Sequence, residues 1–303
     1  MEEFFSSIHL NIKLNWNIIT RARDIFKPLL HINTSKLSFN EELMNSFEIE
    51  NASLNQNIIK NLLSYDGIGI QKIHQIMTEC KKPFKRNKYV YVLNAFGDIL
   101  HVGLQSSKID YDLLQQWVNT YYEHKFSSPI EKTFCGFLLY VMYIRIHPHE
   151  DGNGRTARYL FLENKLLEGT ENYFPLSSIL ASSSFEYVND VISKIYKLID
   201  ITEKGVSEEV YYTLVLSDAY VKRILYIIYS TMLYKYLYVS DTENTLKYAE
   251  YESFSEMLFK YHSLFAGATF LEEDAKIVKD IKNFISKWVD LDKHVKVLKV
   301  LHV

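Results

Sequence analysis

The chain has 303 residues, with 34 lysines and arginines against 37 aspartates and glutamates, for a formal net charge of -3. That balance excludes any general attraction to nucleic acid or to an anionic membrane surface. A hydrophobic share of 48% supports a full core, and two cysteines, Cys80 and Cys135, are too few for a disulfide framework and suit a reducing compartment.

Glycine and proline number only 10 and 5, which favours helices joined by compact loops. The length allows one large domain or two smaller ones. Met1-Glu2-Glu3 is acidic with no apolar segment behind it, so no secretory signal is expected. The longest apolar stretch, Val210 to Val239, is broken by Asp218, Lys222, Arg223 and Lys235, so no membrane span is expected. The expected location is cytoplasmic, in its own cell or, for a delivered effector, in another cell's cytosol.

Residues 1–36 form an N-terminal segment with weak helical spacing from Trp16 to Leu30. A helix is expected over about 38–52, opened by a capping box of Ser38 and Glu41. Ser46 and Glu50 lie four apart on it and share a face. Taken alone, such a pair reads as a solvated helix face. A loop over 64–69 precedes a helix over 70–80, in which Ile73, Ile76 and Met77 are apolar. Lys81 to Lys88 is a basic break. Tyr89 to Leu93 and Ile99 to Val102 read as strands, and Gly97 between them makes a hairpin.

A helix from Asp112 to Glu123 follows. The run from Thr133 to Ile146 is apolar on every face, the mark of a helix buried all round. Another helix is expected over 185–199, a boundary at Gly205, and further helices to the end.

Between the buried helix and the next lies Ile146-His147-Pro148-His149-Glu150-Asp151-Gly152-Asn153-Gly154-Arg155-Thr156-Ala157-Arg158. Pro148 cannot extend a helix. Gly152 and Gly154 let the backbone bend close to a ligand, and amides at the start of the next helix suit a phosphate. Arg155 and Arg158 share a helix face and match phosphate oxygens in two-point contact. Asp151 is a hard oxygen ligand of the kind Mg²⁺ takes, and His147 can accept a proton near neutral pH. Together these groups point to phosphoryl or nucleotidyl transfer to a hydroxyl. A metal site on His147, His149 and Glu150 finds no further His or Cys at suitable spacing.

The stretch resembles the Fic family signature, His-Pro-Phe-x-Asp/Glu-Gly-Asn-Gly-Arg-x-x-Arg. Every specified position matches except one, where His149 stands for the family's Phe, an anchor in the core. The resemblance covers roughly residues 38–200. It implies a mainly α fold, a Fic-like helical core with a small β-hairpin flap, plus a C-terminal helical region. The implied division is 1–36, a core over 37–204, and 205–303.

The family's activity is transfer of AMP from ATP, with Mg²⁺, to a Ser, Thr or Tyr hydroxyl of a protein target. In this chain the resemblance makes His147 the base and Asp151 the magnesium ligand. It makes Gly152, Asn153, Gly154, Arg155 and Arg158 the phosphate site, and Tyr187 aligns loosely with base-pocket tyrosines. Ser46-Phe47-Glu48-Ile49-Glu50-Asn51 resembles the family's inhibitory motif, in which the glutamate pairs with the second arginine, here Arg158. The hairpin, at Val92, Leu93 and Asn94, is expected to hold a target segment as an added strand. Removal of AMP, transfer from another nucleotide, and non-catalytic nucleotide sensing are the competing readings. The aromatic C-terminal helices offer a face that a homodimer could bury.

Overall fold

Helices dominate the described part of the chain. The computed structural model describes residues 2–20, 22, 39–93, 97, 99–163, 176–181, 186–204, 209–225 and 227–228. From the N-terminus, α1 (Glu2–Ser7) leads into β1 (Leu10–Lys13). Three helices follow: α2 (Phe39–Glu48), α3 (Gln56–Ser64) and α4 (Ile70–Met77). Next come β2 (Tyr91–Leu93) and β3 (Ile99–Val102), then α5 (Tyr111–Glu123), α6 (Pro129–Ile146) and α7 (Asn153–Arg158). A π-helical turn at Tyr159–Glu163 continues α7. Then come α8 (Leu176–Ala181), α9 (Glu186–Leu198), β4 (Ile199–Lys204) and β5 (Glu209–Val215), with helical residues again over 218–225 and 227–228.

Helix α6 is the axis of the core. Ser128 caps it through the Glu131 amide, and Pro129 stands at its start, where a missing N–H costs nothing. Phe134, Phe137, Leu138, Leu139, Val141 and Met142 are all fully buried along it. Each such side chain contributes about 1.5–3 kcal/mol of burial. Gly136 lets the turn after α7 approach closely, because a Cβ there would stand 2.5 Å from the Phe161 carbonyl. The Tyr121 hydroxyl, from α5, donates to that same carbonyl at 3.2 Å.

Several elements escape the sequence pattern, the short helices α1 and α8 among them. Helix α3, started by the Asn55 side chain on the amides of Asn57 and Ile58, occupies a stretch that periodicity left blank. A three-stranded sheet in the order β1-β5-β4 was not expected: β1 and nearly all of β4 fall on stretches given no element, and β5 where helices were expected. Strand β5 pairs antiparallel with β4 and parallel with β1, Leu10 facing Tyr212. The all-helical expectation beyond Gly205 therefore fails over Glu209–Val215, where Val210, Tyr211, Tyr212, Thr213 and Val215 favour an extended chain. One sheet draws strands from all three expected segments, so the boundaries at 36/37 and 204/205 do not separate it.

The hairpin is present, with Tyr91 opposite Val102 and Val92 opposite His101. Helix α4 stops at Met77 rather than 80, since Glu79 and Cys80 take positive φ of 52° and 58°. Among the described residues no helix is long and apolar enough to cross a membrane.

Candidate functional site

Helix α6 ends at His147, which adopts the left-handed conformation with φ 54° and ψ 62°. A non-glycine residue there is strained and needs its neighbours to hold it. Its amide still donates to the Tyr143 carbonyl at 3.0 Å. The Nδ1 atom is enclosed and makes no well-formed hydrogen bond, although the Ile144 carbonyl lies near the ring, which leaves Nε2 as the reachable ring nitrogen. Burial pushes the imidazole down to about 4, and His101 and Arg86 push the same way. The Ile144 carbonyl and the Asp151 carboxylate oppose that shift without reversing it. His147 is therefore a neutral imidazole across the physiological range.

The loop after His147 is held by side chains on its carbonyls. Arg86 Nε donates to the His147 carbonyl at 2.6 Å, and the Tyr111 hydroxyl to that of Pro148 at 2.7 Å. The Asn153 amide side chain donates to the His149 carbonyl and accepts from the His149 N–H, each at 2.9 Å. His74 Nε2 lies 3.1 Å from the Asp151 carbonyl and so carries the hydrogen. Gly152 starts α7 at φ 74°, a conformation that demands glycine.

His149 is fully buried between Phe84, Tyr111 and Tyr143. Its Nδ1 donates to the Phe84 carbonyl at 2.5 Å, which leaves Nε2 to accept from the Tyr143 hydroxyl at 2.6 Å. The ring lies 4.0 Å from that of His74. Burial, reinforced by His74, pushes His149 down to about 3. Both ring nitrogens are thus satisfied inside an aromatic slot.

Helix α2 delivers the remaining groups. Its end is closed by the Ala52 N–H on the Phe47 carbonyl at 3.0 Å and the Asn51 N–H on the Glu48 carbonyl at 2.9 Å. Asn51 sits at φ 50°, the left-handed residue that such a helix end requires. The regular helix stops at Glu48, short of the expected 52, and Glu50 projects from the closing turn. The capping box at Ser38 and Glu41 lies outside the described residues and side chains.

The Glu50 carboxylate bridges both arginines, Oε1 to Arg158 Nη2 at 2.9 Å and Oε2 to Arg155 Nε at 2.7 Å. Arg158 also donates from Nε to the Ser46 hydroxyl and from Nη2 to the Ser46 carbonyl, both at 2.8 Å. Arg155 donates to the Met77 carbonyl at 3.0 Å and to Asp151 Oδ1 at 3.0 Å. Ser46 is fully buried, so the solvated-face alternative does not hold.

Asp151 Oδ1 also accepts the Gly152 N–H at 2.7 Å, which uses one of the amides expected to face a phosphate. The aspartate is about half exposed, with Oδ2 free of hydrogen bonds among the described residues. One reachable carboxylate fits Mg²⁺ only when it arrives with a polyphosphate, which is how that ion is usually bound. Among the described residues no cluster of three or more His, Cys, Asp or Glu could hold a metal by itself.

On the hairpin, Val92 is half-buried and Leu93 is exposed, while Asn94 lies outside the described residues. The Tyr187 side chain also lies outside them, although its backbone belongs to α9. His74, Phe84, Arg86, His101, Tyr111 and Tyr143 were missed. Only one signal could have flagged any of them: Arg86 sits in a basic run immediately before the hairpin. The chain matches no known family model and no curated protein.

Proposed function

We propose that the protein transfers AMP from ATP to a Ser, Thr or Tyr hydroxyl of a protein target, and that Glu50 holds this activity off. The observation that carries the reading is the Glu50 bridge across Arg155 and Arg158. Two buried arginines beside a glycine-bounded loop are built for an oxyanion, and a carboxylate from another helix occupies them.

In this reading a triphosphate replaces Glu50, with its terminal phosphates on Arg155 and Arg158. The target hydroxyl oxygen bonds to the α-phosphorus, and the bond to the pyrophosphate oxygen breaks. His147 Nε2 takes the hydroxyl proton, and its neutral state fits that role. Magnesium, brought with the phosphates, would sit at Asp151 and supply neutralising charge. The residues otherwise act by positioning and charge stabilisation. The hairpin presents the target, since β2 has no strand on its outer edge among the described residues.

Mass spectrometry of the Glu50→Gly protein incubated with ATP and Mg²⁺, alone and in a cell extract, tests this. A mass gain of one AMP, absent when His147→Ala is added, supports it. Nucleotide binding with no adduct on any protein would favour a sensor instead.

A further inference from the structure

Arg86 is a buried cation, 4% exposed, with no carboxylate partner among the described residues. Its guanidinium instead donates to three main-chain carbonyls. Nε reaches His147 at 2.6 Å and Nη1 reaches Lys88 at 2.5 Å. Nη2 donates to the Leu104 carbonyl. Burial lowers its proton affinity, but an arginine starts too high to lose its charge.

Those three carbonyls belong to three places. Lys88 precedes β2, Leu104 follows β3, and His147 ends α6. The guanidinium therefore joins both feet of the hairpin to the residue that carries the reactive imidazole. Other contacts converge on the same seam. The Leu104 N–H donates to the Ile146 carbonyl and the Gly103 N–H to the Val90 carbonyl, both at 2.9 Å. Arg145 donates to the Val102 carbonyl at 2.7 Å. Gly103 leaves room for the seam, because a Cβ there would lie 3.0 Å from both Arg86 Nη2 and His147 Cβ.

A fully buried cation is costly unless its surroundings repay it. Carbonyls at the C-terminal end of a helix carry partial negative charge, so this place suits a cation. A purely structural tie could use a neutral donor. The rigid fork of arginine reaches three acceptors that diverge, and lysine has no such geometry.

We infer that Arg86 is a positioning residue that sets the hairpin in register with His147, so that a hydroxyl held by one meets the imidazole of the other. This rests on the AMP-transfer reading. It adds a group that touches neither nucleotide nor target yet fixes the distance between base and hydroxyl. A displacement of the order of 1 Å between reacting groups can cost about 100-fold in rate.

The test uses the full-length Glu50→Gly protein and compares Arg86→Gln, Arg86→Lys and Gly103→Ala within it. Three quantities are read: ATP affinity by calorimetry, the rate of AMP incorporation from labelled ATP, and the His147 imidazole titration by NMR. Arg86→Gln should keep ATP affinity and lose about 100-fold in incorporation. Arg86→Lys should recover part of that loss. The His147 titration should move upward in Arg86→Gln, because a nearby cation is gone. Incorporation at the parental rate in Arg86→Gln would overturn the inference.

If Arg86→Gln does not fold, Gly103→Ala decides. Its methyl presses on Arg86 and His147 without removing a hydrogen bond, and unchanged incorporation would sink the idea. If the parent binds ATP but incorporates nothing, the AMP-transfer reading has failed. The NMR arm then stands alone, and an unmoved His147 titration would show that Arg86 does not govern it.

Discussion

Gly154 and Glu50 are matched in shape: the space left by the glycine's missing side chain is the space the Glu50 Oε1 atom fills. A Cβ at 154 would also stand 2.7 Å from Arg158 Nη1. The glycine expected to admit a phosphate admits a carboxylate here. Gly154→Ala should therefore push Glu50 out of the bridge and lower stability by about 1–3 kcal/mol, the usual range for overpacking. In a Glu50→Gly background the loss should shrink, because only the flexible end of Arg158 must then give. A double-mutant cycle by urea unfolding reads that coupling, and additive losses would contradict the match.

Glu50→Gln removes the carboxylate that two buried guanidinium groups share, while Arg155 keeps Asp151. Removing one partner of a buried ion pair costs about 3–5 kcal/mol, and the partly exposed Glu50 puts the expected loss at the lower end. Millimolar ATP should restore the melting temperature of this variant more than that of the parent, since the triphosphate replaces the missing charge. Equal stabilisation of both proteins would mean that the arginines are not the nucleotide's seat.

Acid should act on this protein through its buried histidines. His147 and His101 are pushed to about 4 and His149 to about 3, each mainly by burial, against 6.5 for the ordinary group. Below 6.5 the unfolded chain takes up protons that these folded sites refuse. Stability is thus fully present above 6.5 and falls as the pH drops toward 4. Each such histidine removes about 1.4 kcal/mol per pH unit in that window. On the proposed AMP transfer, the acid limb of kcat/KM should likewise lie well below 6.5, because the His147 imidazole is already neutral there. Denaturant titrations at several pH values and a rate profile check both. A limb centred at 6.5 would mean that His147 is solvated.

His149→Phe would match the sequence to the Fic signature it resembles, yet it should destabilise this chain. The Tyr143 hydroxyl and the Phe84 carbonyl would lose their partner, and a buried group left unpaired costs about 1–3 kcal/mol. The variant should also lose part of the acid sensitivity. Thermal melts at pH 7 and pH 5 give both numbers, and a variant more stable than the parent at pH 7 would refute this account of the slot.

Much of the site could be read from residues close together in sequence. Pro148 restricts the backbone and Gly152 and Gly154 free it wherever they stand, and Arg155 and Arg158 lie one helical turn apart. Ser46, Glu50 and Asn51 were legible as a group only through their resemblance to an inhibitory motif, since Asn51 was expected inside the helix and not as the left-handed residue that closes it. What stayed hidden depends on distant partners. Arg86 looks like one more solvated charge until the ends of the hairpin and of α6 meet around it. Strand β1 is four residues long, and its partner β5 lies some two hundred residues away, so no local pattern announces it. The bridge to both arginines, rather than to Arg158 alone, follows from the angle at which Glu50 leaves the closing turn of α2.

The most direct test is a crystal structure of the Glu50→Gly protein with ATP and Mg²⁺, read for one distance, His147 Nε2 to the α-phosphorus. The account predicts terminal phosphates on Arg155 and Arg158, with the α-phosphate beside the imidazole and room between them for a hydroxyl. A nucleotide bound elsewhere, or seated with its adenine against His147, would contradict it.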